Sequence, residues 1–260
     1  MEEKPREIAN LIITCMDRRL NEALEARAQN AMANTGVPTI VLRDAGGDVR
    51  NLQDSIREAF SHYDIPEARV AVHNDCGAMK DIANRKQGKA EKDRERDMTA
   101  MKYVAENPDD LCKENLTVQQ RSLTEIVASL SPNTKVIADS LDVLHVPHMD
   151  GEKKAAVILD SPDRSHTNYS ELASILHANT NNVYFIQYTG KDNMLSDINL
   201  VPKALGVKDI TIFSTDKTRA KATELFEEIN RQAFAPGINL KLMELVQQPA
   251  TQHQKVKLKG

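Results

Sequence analysis

Tryptophan is absent from this 260-residue chain and aromatic residues make up only 4% of it, so stacking platforms for bases or sugars are not expected. The core must be built from Ile, Leu, Val, Ala and Met. Cysteine is scarce as well: Cys15, Cys76 and Cys112 are odd in number and far apart, which excludes the disulfide framework of a small secreted domain. No apolar run approaches the length of a membrane-spanning helix. The charged stretch Met1 to Glu7 leads straight into a short apolar run, Ile8 to Thr14, without the pattern of a secretory leader, so a cytoplasmic location is expected. An excess of positive charge is also missing. The net charge is -4 and the pI is near 6.0, which argues against a nucleic-acid face held by counterion release. Even the polar stretch Asn84 to Arg96 interleaves Glu91, Asp93 and Glu95 with its bases, and reads as a solvated face or excursion rather than a basic patch.

What is present is an ordinary globular balance, 40% hydrophobic and 28% charged, in a chain long enough to bury a sizeable core. Short apolar runs bounded by turn signals alternate with helical stretches, the mark of a parallel sheet with crossover helices. Strands are predicted at Ala9 to Thr14, Thr39 to Leu42, Ala68 to His73 and Lys135 to Leu144. Helices are predicted at Asn21 to Asn34, stopped by Gly36 and Pro38, and at Leu52 to His62; a further helix, Val118 to Leu130, is expected ahead of the fourth strand. After a turn-like stretch, Asp160 to Asp163, a second run follows: helix Tyr169 to Ala178, strand Asn182 to Tyr188, a helix around Leu200 to Leu205, strand Asp209 to Ser214, helix Lys217 to Ala233 and strand Asn239 to Leu245. The expected fold class is therefore α/β, with a mostly parallel sheet over residues 1–160, a smaller α/β extension of unknown role over 161–246, and a polar tail over 247–260. No sequence repeat between the halves is evident.

Two clusters carry the chemistry. The first strand runs into Cys15-Met16-Asp17-Arg18-Arg19 and the third into His73-Asn74-Asp75-Cys76-Gly77, so both stand at carboxyl ends of strands, where open parallel sheets form sites. Singly, each of Cys15, His73 and Cys76 is an ordinary core residue. Together, if the two strands are neighbours, two thiolates and an imidazole make a ligand set suited to Zn²⁺, with a fourth position left for water, substrate or a carboxylate such as Asp17. Asp17 and Arg19 are two residues apart in a strand-to-loop turn and can pair with each other or diverge.

The pattern resembles the β-class carbonic anhydrases over about residues 1–160. Cys15, Asp17 and Arg19 match the family's Cys-x-Asp-x-Arg motif, His73 and Cys76 its His-x-x-Cys motif, and Arg43-Asp44-Ala45-Gly46-Gly47 is similar to its Arg-Asn-Ala-Gly loop. The resemblance implies a zinc lyase, usually a homodimer or higher homo-oligomer, that interconverts CO₂ and bicarbonate through a zinc-bound hydroxide. Asp17 and Arg19 would then be the catalytic pair: Asp17 orients the hydroxide, and Arg19 holds Asp17 off the metal. Without that contact, Asp17 becomes the fourth ligand of a closed site. The same chemistry extends to hydrolysis of COS or CS₂, and a permanently closed site would make a non-catalytic zinc protein whose C-terminal part binds a partner.

Asp44 stands where the family has Asn, and Val72 where Gly commonly precedes the His; Asn84 to Asn115 forms a long charged insertion. Spacing does not place Cys112 at the site, so it is expected to be structural or exposed. His62, His145, His148, His166, His177 and His253 have no assigned role as proton shuttle. Gly46 and Gly47 lack the surroundings of a phosphate loop and are read as a tight turn beside the metal. Tyr188-Thr189-Gly190-Lys191-Asp192 reads as an ordinary strand-to-helix loop.

Overall fold

The computed structural model describes residues 6–74, 76, 108–143, 146, 151–159, 169–188, 194–195, 198, 201–202, 205–232 and 237–245. The charged stretch 84–96, the tail 247–260, residues 189–192 and His145, His148, His166 and His253 lie outside the described residues.

The chain is α/β, and its two larger sheets are wholly parallel. A short strand β1 (Glu7–Ile8) pairs with β4 (Tyr63–Asp64). The first large sheet has the order β3-β2-β5-β6, formed by Thr39–Asp44, Asn10–Cys15, Glu67–His73 and Lys135–Leu141. Helix α1 (Asn21–Thr35) connects β2 to β3 and ends where Gly36, at φ 67°, takes the left-handed conformation that glycine adopts without strain. Helix α2 (Gln53–His62) buries Ile56, Ala59 and Phe60, the face its sequence periodicity predicts. Helix α3 (Pro108–Leu130) begins well ahead of the expected Val118 start.

The second sheet has the order β10-β9-β7-β8. Its strands are Asn239–Glu244, Asp209–Ser214, Lys154–Leu159 and Val183–Gln187, with helices α4 (Tyr169–Ile175) and α5 (Arg219–Arg231). The change of sheet falls between Leu141 and Lys154, ahead of the division expected at residue 160. Strand β7 escapes sequence reading because it is a continuous buried apolar run rather than an alternating one, as strands covered on both faces are.

Alternation along β2 separates two cores. Leu11 and Ile13 join Ile56, Ala59 and Phe60 of α2 and Leu123 and Val127 of α3. Ile12 faces the other way and, with Cys15 at the strand's end, joins Leu24 of α1 and Ala156, Ile158, Phe185 and Phe213 of the second sheet. The two sheets thus share one hydrophobic layer. Beyond it, α5 covers the far face of the second sheet with Ala222, Leu225 and Ile229. No helix among the described residues is long and apolar enough to cross a membrane.

Candidate metal centre

Strand β2 lies between β3 and β5, so the chain leaves it toward one side and later returns on the other. The carboxyl ends of β2 and β5 stand side by side at this reversal of strand order, the place where open parallel sheets form sites. Cys15 ends β2 and His73 ends β5. Thr14 Oγ1 donates to Ala71 O at 2.7 Å and pins the two ends together. Past β5, Asn74 turns the chain: its amide donates to Asp142 at 2.8 Å and its Oδ1 accepts from Val143 N at 2.9 Å.

These supports bring together all three of the metal-ligating residues expected from the sequence. Cys15, His73 and Cys76 are buried, and their donor atoms lie within 4.8 Å of one another, a group that can hold a metal ion. Cys15 Sγ and Cys76 Sγ are 3.8 Å apart. His73 Nδ1 is 2.7 Å from Asn74 O, and since a carbonyl only accepts, Nδ1 carries the proton. The Nε2 lone pair is therefore presented to the sulfurs, buried and with no hydrogen-bond partner among the described residues. Hydrogen bonding to Cys76 and burial push the Cys15 thiol well up, so an arriving metal ion must displace a proton from it.

Asp17 and Arg19 pair rather than diverge. Arg19 donates through Nε at 3.1 Å, Nη2 at 2.8 Å and its backbone N at 3.0 Å to the Asp17 carboxylate. Asp17 Oδ2 remains 3.8 Å from His73 Nε2, beside the three donors but not one of their group. Burial pushes the Asp17 carboxyl up, but the hydrogen bonds and positive charge of Arg19 help to outweigh it and hold the group below the ordinary carboxylate range.

The loop bearing Asp17 is clamped from beneath by Arg43, whose Nε donates to Cys15 O at 3.1 Å and Nη2 to Asp17 O at 2.7 Å. Arg43 also donates to Asn21 Oδ1 and lies 5.1 Å from the centre of the Tyr169 ring, a cation–π contact from the second half. Gly46 N donates to Cys15 Sγ at 3.3 Å. Asp44 is fully buried and accepts from Asn51 Nδ2 at 2.9 Å, so the following turn supplies a donor to the carboxylate at that position.

Of the two alternatives expected for Cys112, structural or exposed, its burial excludes the second. It is buried on α3 and lines one cavity with Gly46, Val72, His73, Cys76 and Asn115. Sequence reading missed it, and with it Asn115, because this stretch of α3 buries polar groups. Asn115 Nδ2 donates to Gly46 O at 2.8 Å and Gln119 Oε1 accepts from Val49 N at 2.8 Å, which leaves no apolar period to read. Their spacing at i and i+4, on one helix face, is the signal that was there. His62 and His177 are exposed. Comparison with known proteins found no family model that matches the chain and no curated protein similar to it.

Proposed function

We propose that the chain is a zinc-dependent lyase that interconverts CO₂ and bicarbonate, the activity its resemblance to the β-class carbonic anhydrases implies. One observation carries the reading: an Asp17 carboxylate, turned away by Arg19, stands 3.8 Å from the His73 nitrogen that faces the two thiols. The donor set fits zinc. Two sulfurs at about 2.3 Å from a tetrahedral Zn²⁺ stand about 3.8 Å apart, and Cys15 and Cys76 are 3.8 Å apart.

Bound there, zinc supplies a Lewis acid that activates water for attack on carbon at neutral pH. The residues do the rest. Asp17, kept ionised by Arg19, can only accept, so it takes a hydrogen bond from the nucleophilic water and fixes which lone pair faces the substrate. Arg19 engages both carboxylate oxygens and so prevents Asp17 from closing the fourth position. The Gly46 N–H draws charge from the Cys15 sulfur, which partly offsets the weaker Lewis acidity that two thiolates impose. Val72 and Cys112 place apolar surface beside the donors, next to Gly46 and Asn115.

Stopped-flow CO₂ hydration by the zinc-loaded protein tests this; no rate above buffer at neutral and alkaline pH overturns it. Sulfide release from COS or CS₂ without CO₂ hydration would move the activity to those substrates. Asp17→Asn is expected to keep zinc and lose about 10²-fold or more in kcat. Cys76→Ala is expected to lose the metal, measured by elemental analysis.

A further inference from the structure

The two parallel sheets follow one plan. Counted in chain order within each half, the strands run second, first, third, fourth across both sheets. The registers agree as well. Asn10 faces Thr39 and Lys154 faces Val183, with the same separation along the chain. Leu11 faces Ala68, one residue in from the start of β5, while Lys154 faces Asp209, the start of β9. Glu67 then faces Lys135 as Asp209 faces Asn239. Asn10, Thr39, Glu67 and Lys135 thus form a first rung that corresponds to Lys154, Val183, Asp209 and Asn239.

Carried along the strands, this correspondence places Leu159 at the position of Cys15, Thr215 at that of His73 and Thr218 at that of Cys76. The His-x-x-Cys turn of the first half has its counterpart in a Thr-x-x-Thr turn, and its two side chains converge in the same way. Thr215 and Thr218 Oγ1 are 3.2 Å apart, with Thr215 N donating to Thr218 Oγ1 at 2.9 Å and Thr218 N to Thr215 O at 3.0 Å. Hydrogen bonds close this turn. Leu159, at 2% exposure, fills the remaining ligand position with a core side chain.

The halves also meet through equivalent parts. β3 packs against β8, each the second strand and edge of its sheet, and α1 packs against α4, each the crossover between first and second strands. Elements that touch their own counterparts are the mark of a two-fold, isologous interface. From these observations we infer that the second half is a metal-free copy of the first, seated as the second subunit of a two-fold dimer would be, so that one chain holds one metal centre and serves as its own partner. The seat is used to hold the metal loop: Asn21 Nδ2 donates to Val183 O at 2.8 Å and Thr180 O at 2.6 Å, and Arg18 donates to Asn181 O.

Restoring the missing donors in the full chain tests the correspondence without reference to turnover. The wild-type protein is expected to bind one Co²⁺. L159C/T215H/T218C is expected to bind two, with the thiolate-to-cobalt charge-transfer absorption doubled. T215H/T218C leaves the buried Leu159 in place and covers the case in which the triple variant misfolds. It is expected to bind the second ion more weakly, with about half of that increase. A second ion bound by the wild-type chain, or none bound by a folded T215H/T218C variant whose first site is filled, overturns the inference.

Discussion

Gly47 has φ +71°, and a Cβ built there would stand 3.2 Å from Thr14 C and 3.3 Å from Cys15 N, both backbone atoms. Neither neighbour can swing aside as a side chain would, and the left-handed conformation itself disfavours any other residue. Gly47→Ala is therefore expected to destabilise the protein by about 1–3 kcal/mol and to weaken metal binding, since the displaced atoms lead into the Cys15 ligand. A lower urea midpoint together with a shallower metal titration checks it; an unchanged titration would confine the role of Gly47 to folding. At this scale the sequence was most informative where chemistry restricts residue type. Cys15, His73 and Cys76 were legible because few other residues suit a soft divalent cation. Cys112 was not, since a thiol carries no mark of the cavity it lines, and Asn115 and Gln119 are satisfied by a backbone carbonyl and amide that only the fold brings near.

Among the elements, β6 is tied to α1 and β5 by charge. Asp139 Oδ2 accepts from Arg27 Nη1 at 2.8 Å and Arg69 Nη1 at 3.1 Å. Burial pushes its carboxyl up, but the two arginines prevail and hold it below the ordinary range. A carboxyl with a depressed folded pKa stabilises above its unfolded value of about 3.9 and loses that contribution as the pH falls through the folded value. Asp139→Asn is accordingly expected to lower the urea midpoint at neutral pH, by about 1 kcal/mol or less because the pair is partly solvated. The two midpoints should converge as the pH falls through the depressed folded value. A gap that persists in acid would assign the effect to packing.

The same scale shows where sequence reading stops. The strands β2, β3, β5 and β9 were legible within a residue or two, as compact apolar runs bounded by turn signals. β7 was passed over because Ala155 and Ala156 dilute the β-branched signal in a run buried on both faces. β6 ends at Leu141 rather than Leu144.

Across the whole molecule, the shared layer makes the metal centre depend on distant side chains. Phe185 is fully buried in the cluster that contains Ile12, Cys15 and Cys76, and its ring centre is 4.7 Å from that of Tyr169, the residue over Arg43. Phe185→Ala should cost about 3–5 kcal/mol and weaken metal binding, although residue 185 contributes no ligand. Denaturant titration followed by circular dichroism and by the cobalt charge-transfer band is the measurement. If the halves are one cooperative unit, both signals disappear together in the parent and shift together in the variant. The plan common to the two halves was invisible in the sequence because register and strand order survive changes of residue type that erase similarity.

The contact of α1 with α4 has a consequence for inheritance. In a dimer of identical chains, a single codon change alters both sides of the interface at once. Here the two sides are encoded separately, so a change on one can be compensated by a later change on the other. The candidate metal ligands Cys15, His73 and Cys76 lie on one side, and the other is open to acquire a role of its own.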